Sequence, residues 1–591
     1  MITYQVIIII ISLVFLMLVL LKEWIRPVMA FFLVCVALFL SGVIDAKDLL
    51  NGFSNEQLGV VLLLLLLSDV IRKTGILELG LKNLIKKDLS YRRFLIRIMV
   101  AGAGISAFVN NTPLVAITTP YVYDWGKRNK ISPSKLLMPV TFAITLGGTI
   151  TLIGTSTNVI VNGFITEAGL HPLNMFDFTA IGIPLALIGI FYLLFIGYKS
   201  LPDRKDALAD FEKHSKDYLV ETEVKSGSDL IGKTVEGAGL RNLRGLFLVE
   251  IIRKKEKITP APPSEIIEEG DRLMFAGDTT TIIDLVNSKS NLGLPKFSSM
   301  LDQEHAEIVE VVVASDSVLI GKAVKEAEFR SRYDAAIIAI KRNGERISGK
   351  IGEVRLKAGD LLLLITGKDF YSHASETGDI NLISKIREIR NYSPVKIAIL
   401  IGATLIAFIL PAIGILTLFK TLLLLMIVIG SMKIVKLGDI KRGFDVDLYM
   451  ILALALAIGK AITNSGADKY FADKLISVLS PFHSNIALLA GVFIITNVFV
   501  LLINNRAAVA IAFPVALALA TKLHLNPTPF FLAIAIAGSS TFMTPFCYQT
   551  NLMIYGPGGY KFKDYVRTGG GLTLLYFIVS ITMLSLLYPL N

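Results

Sequence analysis

Long apolar runs occupy both ends of this chain, and they predict membrane-spanning helices. Runs long enough to cross a bilayer lie at 5–21, 28–43, 57–71, 178–197, 395–411 and 570–588. Between 201 and 390 the pattern changes, because short runs of alternating apolar and polar residues, typical of strands, replace the long ones. The chain therefore divides into an apolar part (1–200), a mixed part (201–390) and a second apolar part (391–591).

Each apolar part predicts the same series of elements. Three helices come first, then two short apolar segments joined at a polar turn, then an interrupted helix and a last helix. The first part gives 5–22, 27–43, 56–73, 94–109 with 113–126, 135–166 and 178–199. The second gives 395–411, 415–432, 446–463, 486–503 with 507–521, 529–555 and 570–589. Because each short pair is too short for two full spans, we predict two re-entrant hairpins whose tips are buried in protein.

One phrase stands at both predicted tips. Residues 110–120 read NNTPLVAITTP and residues 504–514 read NNRAAVAIAFP, so the paired asparagines, the Val-Ala-Ile and the proline keep their spacing. A second polar interruption follows each tip, at 147–158 and at 539–551. Polar groups at membrane depth are costly without partners, so the duplication suggests a duplicated polar site. Interrupted segments in matching positions of two halves are the best sequence indication of a transporter's binding site.

The polar residues of these stretches have a plainer interpretation as well. Asn, Ser and Thr can cap helices or form hydrogen bonds between them without binding anything. For any single residue this alternative stays open. Two motifs that recur in both halves favour a pathway, because polar clusters at membrane depth usually mark one.

Basic residues predict the orientation of the chain. If the hairpins do not cross, each half crosses five times, and an odd number inverts the second half. Loops near 22–26, 72–93, 127–135, 433–442 and 561–567 are rich in Lys and Arg, whereas the opposite loops hold chiefly Lys47, Lys469, Lys474 and Lys522. The positive-inside bias then predicts an inner-membrane protein with a cytoplasmic middle part and both termini outside. The net charge of +11 has the same explanation, so we expect no nucleic-acid partner.

The middle part is itself duplicated. LIGKTV at 230–235 returns as LIGKAV at 319–324, and Gly270-Asp271 returns as Gly359-Asp360 at the same offset. Alternating runs at 246–252, 271–276 and 335–340 predict strands. We therefore predict two small α+β domains, 201–300 and 301–390. The stretch 227–234 also fits the P-loop pattern, but its repeat lacks the first glycine and the threonine, so we expect no ATP hydrolysis.

Composition agrees with a membrane protein and gives no sign of an enzyme. Hydrophobic residues make up 53% of the chain and charged ones 18%, far from the usual soluble balance. The two cysteines lie in apolar segments, the six histidines show no metal-ligand spacing, and no Ser/His/Asp unit is discernible. The first apolar run lacks a basic n-region, so we expect a retained helix.

The tip Asn110-Asn111-Thr112 and the stretch Gly154-Thr155-Ser156-Thr157-Asn158 resemble motifs of the divalent anion/sodium symporter (DASS) family of the ion-transporter superfamily. That family carries Ser-Asn-Thr at its hairpin tips and a Gly-Thr-Pro-Pro-Asn-like stretch in its broken helices. The resemblance covers both apolar parts. It implies an α-helical polytopic fold of two inverted repeats, a homodimer in lipid, elevator-type movement, and Na⁺-coupled uptake of sulfate, dicarboxylates or citrate-like anions, with no organic cofactor.

The middle part resembles the tandem RCK-C domains of potassium-uptake proteins, which other members of the family also carry. The resemblance implies regulation and leaves a nucleotide or an ion as candidate ligands. A dimerisation spacer without a ligand is the alternative. A ligand-gated channel is a further alternative for the whole chain, although no potassium-type selectivity filter is present.

The resemblance also implies site residues. For a small anionic substrate, with sulfate favoured over a dicarboxylate or citrate, they are Asn111, Thr112, Thr155, Asn505, Arg506, Thr544 and Pro545. For Na⁺ they are Ser106, Asn110, Asn111, Gly147 and Gly148, with a less certain second site at Asn504 and Asn505. The second tip departs from the family pattern, because Arg506 replaces a hydroxyl residue and Val500 stands where the first repeat has Ser106. We expect Arg506 to supply a fixed positive charge; snorkelling to water or pairing with a carboxylate such as Asp69 is the alternative.

Overall fold

The apolar runs form helices in the computed structural model. It describes residues 3–22, 24–25, 27–76, 90–204, 219–240, 246–254, 256–277, 292–293, 307–314, 317–342, 345–347, 351–367, 369–383, 393–432, 446–482, 484–503 and 505–590. The helices of the first apolar part are Tyr4–Lys22, Pro27–Leu40, Ala46–Asn51, Glu56–Thr74, Tyr91–Ser106, Asn111–Arg128, Leu137–Gly148, Ser156–Glu167 and Thr179–Phe195. Those of the second are Pro394–Ala412, Leu418–Ser431, Val446–Ser465, Ala467–Leu479, Asn485–Leu502, Asn505–Lys522, Thr528–Gly538, Gln549–Tyr555 and Phe562–Leu587.

The predicted fold class is confirmed. Among the described residues, five helices are long and apolar enough to cross a membrane, or six if one bent pair counts as a single span. That pair bends by 74° at Gly466, whose φ of 75° is the left-handed conformation that glycine adopts without strain. The helix after the bend, Ala467–Leu479, was not predicted. It is amphipathic, with charged residues interspersed among apolar ones, so its sequence contains no long apolar run.

The second arm of each hairpin is longer than predicted. The first hairpin consists of Tyr91–Ser106 and Asn111–Arg128, and the second of Asn485–Leu502 and Asn505–Lys522. The second pair are 18-residue helices, about 27 Å long at 1.5 Å per residue. The argument from short length is therefore wrong for the second pair. Pro113 lies in the first turn of its helix, where its missing N–H costs nothing, so the helix begins before it.

Both interrupted helices are broken as predicted. We call Leu137–Gly148 with Ser156–Glu167 the first broken helix, and Thr528–Gly538 with Gln549–Tyr555 the second. Each hairpin packs along the N-terminal half of the broken helix of its own repeat. The C-terminal halves are exchanged: Ser156–Glu167 packs on Asn505–Lys522, and Gln549–Tyr555 packs on Asn111–Arg128. The two breaks consequently lie between both hairpins.

The middle part contains two sheets of the same design. The first central unit has strands Leu219–Val224 (β1), Leu246–Arg253 (β2), Glu256–Ile258 (β3), Arg272–Gly277 (β4) and Leu292–Gly293 (β5), in the order β3-β2-β4-β1-β5. The second has Glu307–Val313 (β6), Ala335–Arg342 (β7), Glu345–Arg346 (β8), Leu361–Thr366 (β9) and Ile380–Leu382 (β10), in the order β10-β6-β9-β7-β8. The shared core β2-β4-β1 corresponds to β7-β9-β6, which accounts for the sequence repeat. The predicted boundary at residue 300 lies outside the described residues and stays a prediction.

The same ion pair stabilises each central unit. Arg253 donates to the carboxylate of Asp271 at 2.9 Å, and Arg342 donates to that of Asp360 at 2.7 Å. Both aspartates are buried and follow the left-handed glycines Gly270 and Gly359. The carboxylate beside it raises the pKa of Arg342. In the P-loop-like stretch, no helix begins between 219 and 240, all of which is described, so the element that a phosphate site requires is missing there.

The second central unit contacts the helices that surround the breaks. The Tyr123 hydroxyl, on the first hairpin, donates to the buried carboxylate of Glu310 at 2.8 Å. The turn at Gly359 lies so close to the second broken helix that a Cβ there would be 2.7 Å from the Leu552 side chain. Lys561 forms an ion pair with Glu345 at 2.6 Å. The hydrophobic core of the helical part extends to Val312, Leu361 and Ile383 of this unit.

We expect Tyr123→Phe to lower the melting temperature of the purified protein in detergent. Removal of one hydroxyl donor from a buried carboxylate costs about 1–3 kcal/mol. Lys561→Ala is the control, because its ion pair with Glu345 is exposed to solvent and contributes little. Equal melting temperatures for Tyr123→Phe and the wild type would contradict a stabilising contact between Tyr123 and Glu310.

Candidate functional site

The first hairpin tip is built around a buried asparagine. Asn110 caps the second arm, and its side-chain oxygen accepts from Thr112 N at 3.1 Å. Asn111, 1% exposed, is the first helical residue and turns its amide inward. Its Oδ1 accepts a hydrogen bond from Ser106, which is fully buried at the end of the first arm. The tip therefore places a cluster of oxygen atoms beside the first broken helix.

Glycines let the first broken helix approach this tip. A Cβ on Gly148 would lie 2.6 Å from Asn111 Oδ1, and a Cβ on Gly147 would lie 2.2 Å from the Ala103 carbonyl oxygen. A Cβ on Gly154 would lie 2.4 Å from the Gly148 carbonyl oxygen and 2.8 Å from the Ser106 carbonyl oxygen. Backbone carbonyls, a hydroxyl and an amide oxygen thus converge, which is the donor set that hard cations prefer.

A side-chain amide reaches back across each break. Asn158 Nδ2 donates to the Thr151 carbonyl at 2.9 Å, and Asn551 Nδ2 donates to the Thr544 carbonyl at 3.0 Å. Each asparagine lies seven residues after the carbonyl it binds, so the two breaks have the same internal lock. The Oδ1 atoms of both asparagines are buried without a hydrogen-bond partner among the described residues.

The second tip differs from the first. Asn505 is buried at the start of its arm and Arg506 is half-buried, whereas Asn504 lies outside the described residues. Val500, in the position of Ser106, forms an apolar cluster with Ala508 and Cys547. Apolar carbon and sulfur atoms of the second repeat therefore occupy the position that the polar cluster has in the first.

The expected substrate residues of the two breaks have different surroundings. Thr155 is the N-cap residue of the C-terminal half of the first broken helix. Its hydroxyl oxygen lies 3.3 Å from the hydroxyl oxygen of Thr157. The Thr157 hydroxyl oxygen in turn lies 2.9 Å from Ser539 Oγ of the other repeat. Thr544 is buried and accepts from Phe546 N at 3.2 Å, and Pro545 beside it is also buried.

Tyr548 connects the two repeats and was missed as a site residue. It caps Gln549–Tyr555 with the same extended backbone that Thr155 has at the matching position. Its hydroxyl accepts from Asn111 Nδ2 at 2.9 Å, and Thr155 and Arg506 are further polar neighbours. The signal was present in the sequence, because Thr155 and Tyr548 both stand three residues before the asparagine that locks the break.

The structure brings together most of the residues expected for Na⁺. Ser106, Asn111, Gly147 and Gly148 meet at the first tip. Asn110 does not join them through its side-chain oxygen, because that atom caps the helix. Gly154 was not among the expected residues, yet it lies against the carbonyls of Ser106 and Gly148.

A cavity of about 480 Å³ lies away from both tips. It is lined by Phe53, Asn55, Glu56, Lys420, Tyr449 and neighbouring residues. Two of its polar side chains are engaged in the fold: Tyr449 donates to the Phe53 carbonyl at 2.7 Å, and Asn55 caps the helix Glu56–Thr74. None of the residues expected to bind substrate or Na⁺ lines it.

Comparisons with known proteins give the following similarities. A family model described as citrate transporter, CitMHS, matches residues 15–431 and 405–590. An uncharacterized transporter of Synechocystis is 30% identical over 605 residues, covering 99% of this chain and 97% of its own. Sodium/sulfate cotransporter 1 of Chlamydomonas reinhardtii is 28% identical over 395 residues, covering 62% of this chain and 44% of its own. The solved YdaH transporter of Alcanivorax borkumensis aligns with 92% of this chain and 89% of its own at a TM-score of 0.37 and 14% identity.

We expect Gly148→Ala to lower the melting temperature, because the new methyl group would displace the Asn111 amide and break its two buried hydrogen bonds. A net loss of about 0.5–1.5 kcal/mol for each bond makes the effect measurable. Gly104→Ala is the matched control: it lies on the first arm of the same hairpin with open space around its Cβ position. Equal melting temperatures for Gly148→Ala and Gly104→Ala would show that Gly148 and the Asn111 side chain are not in close contact.

Proposed function

The chain belongs to the citrate transporter family CitMHS, within the ion-transporter superfamily, and we propose that it is a secondary active transporter that couples uptake of a small divalent anion to Na⁺. Membership makes it a membrane transporter. The sodium/sulfate cotransporters among its relatives favour sulfate as the anion, and the family description keeps a dicarboxylate or citrate as the alternative.

The cluster of oxygen atoms at the first tip is the observation that carries this proposal. Ser106 Oγ, Asn111 Oδ1 and the Ser106 and Gly148 carbonyl oxygens are neutral donors, which suits a monovalent hard cation. Among the described residues, no cluster of three or more His, Cys, Asp or Glu side chains could hold a metal ion, so nothing there favours a transition metal. In our proposal Na⁺ binds Ser106, Asn111, Gly148 and the nearby Gly147, with Asn110 fixing the tip as its cap.

Positive potential beside this oxygen cluster supports an anion between the tips. The N–H groups at the start of Asn111–Arg128, Asn505–Lys522 and Ser156–Glu167 have no partners within their own helices, and helix dipoles make these ends positive. Arg506 adds a full charge, which costs roughly 2.5–3.5 kcal/mol to insert at membrane depth and so needs a compensating role. We assign the anion to Asn111, through its backbone N–H, and to Thr112, Thr155, Asn505, Arg506, Thr544 and Pro545.

We further propose that Arg506 replaces a second Na⁺. The second repeat offers Val500, Ala508 and Cys547 where the first has its oxygen cluster. A fixed guanidinium beside the anion would supply the positive charge that a bound Na⁺ supplies at the first tip. One Na⁺, at the first tip, would then be bound for each anion. A second Na⁺ at Asn504 and Asn505 is the alternative that the experiment on Arg506 decides.

Alternating access would follow from the exchanged halves of the broken helices. Since each C-terminal half packs on the hairpin of the other repeat, both hairpins and both breaks can move as one body past the remaining helices. We propose such an elevator movement in a homodimer in the inner membrane. The two central units would then be cytoplasmic RCK-C-like regulators with a nucleotide or an ion as ligand, and both termini would be outside.

We expect purified protein in liposomes to concentrate labelled sulfate when an inward Na⁺ gradient is imposed, and to prefer sulfate to succinate. Collapse of the gradient with a Na⁺ ionophore should abolish accumulation, because the gradient is the energy source. Preference for succinate would favour the dicarboxylate alternative. Non-saturable flux that never exceeds equilibrium would identify a channel and contradict the proposal.

We expect Arg506→Thr to change either the number of Na⁺ ions moved per anion or the affinity for the anion. Loss of the guanidinium removes the fixed charge and restores a hydroxyl at the tip. Lys522→Thr, at the far end of the same helix and ion-paired with Asp473 on the surface, is the matched control. Unchanged stoichiometry together with unchanged anion affinity in Arg506→Thr would exclude both roles.

A further inference from the structure

The contact between Tyr548 and Asn111 joins the second break to the first tip. Asn111 Nδ2 donates to the Tyr548 hydroxyl at 2.9 Å across 437 residues of sequence. Asn111 is buried, and its other end, Oδ1, accepts from Ser106. Both ends of the amide are therefore engaged by specific side chains.

The direction of this amide decides what the oxygen cluster can bind. The amide nitrogen is only a donor and the amide oxygen only an acceptor. Tyr548 engages the nitrogen, so the oxygen faces Ser106. With the amide rotated by half a turn, two N–H groups would point into the oxygen cluster and repel a cation.

The Tyr548 ring is held in place by the second repeat. It packs against the apolar cluster of Val500, Ala508 and Cys547, and its backbone caps the helix Gln549–Tyr555. The apolar cluster of the second repeat thus also seats the ring. Val500 therefore has a structural role in holding the ring, at the position where the first repeat has Ser106.

We propose that Tyr548 is a positioning residue for the cation, an inference that rests on the function proposed above. It orients the Asn111 amide with Oδ1 toward Na⁺. Because it stands on the second break beside Arg506, it also makes the geometry of the cation site depend on the arrangement of the anion site.

Tyr548→Phe tests this proposal, because it keeps the ring and its packing and removes only the hydroxyl. We expect the Na⁺ concentration for half-maximal sulfate uptake to rise about two- to tenfold, the equivalent of one net hydrogen bond. At saturating Na⁺ the KM for sulfate should stay unchanged. The stabilisation of the purified protein by Na⁺, measured as a shift in melting temperature, should need correspondingly more Na⁺.

Tyr192→Phe is the matched control. It also loses a buried phenol hydrogen bond, to the Thr568 carbonyl at 3.0 Å, in a helix pair away from the tips. We expect its Na⁺ dependence to equal that of the wild type.

The outcomes separate this proposal from the one on which it rests. If the wild type depends on Na⁺ and Tyr548→Phe depends on it equally, the positioning role is wrong and sodium coupling stands. If the KM for sulfate rises at saturating Na⁺, Tyr548 contacts the anion itself and does not act through Asn111. If the wild type shows no Na⁺ dependence in uptake or in melting temperature, sodium coupling fails and the positioning role fails with it.

Discussion

Backbone N–H and C=O groups at membrane depth must find partners inside the protein, and this constraint governs both repeats. Hydrocarbon offers no hydrogen bonds, so a broken helix survives only where side chains satisfy the freed groups. Here Asn158 and Asn551 bind carbonyls of their own breaks, Thr151 binds the Ala107 carbonyl of the first hairpin, and Asn497 binds the Ser540 carbonyl. The polar residues that first indicated a site are therefore also the ones that allow the helices to break.

Satisfying the backbone and binding cargo are thus two uses of one set of side chains. In each locking asparagine the amide nitrogen is used by the fold and the amide oxygen is left buried without a partner among the described residues. At Asn111 both ends are used, one by Ser106 and one by Tyr548. The two asparagine contacts have the same seven-residue spacing although the breaks differ in length, since the first break spans residues 149–155 and the second spans the longer stretch 539–548.

Much of this architecture could be predicted because it follows from local pattern. Apolar runs, turn glycines and the repeated phrase gave the helices, both breaks and the paired sheets, and family motifs indicated Ser106, Asn111 and the two glycines. Long-range partners could not be predicted. No local sequence pattern indicates that Tyr548 contacts Asn111 or that Glu310 contacts Tyr123. None indicates that the C-terminal half of each broken helix packs on the hairpin of the other repeat. The start of the second arm of the first hairpin was misjudged for a different reason, because Pro113 fits into the first turn of a helix as easily as it precedes one.

The contact of the second central unit with the membrane part has a thermodynamic consequence. Its turn at Gly359 and its carboxylate Glu310 touch the second broken helix and the first hairpin, which carry the proposed site. A ligand that binds this unit more tightly in one arrangement of those helices must favour that arrangement. The shift in free energy equals the difference between its binding free energies for the two arrangements. By linkage the effect is reciprocal, so loading of the membrane site would alter the affinity of this unit for that ligand by an equal factor. If this unit binds such a ligand, it responds to the occupancy of the transporter as well as influencing it.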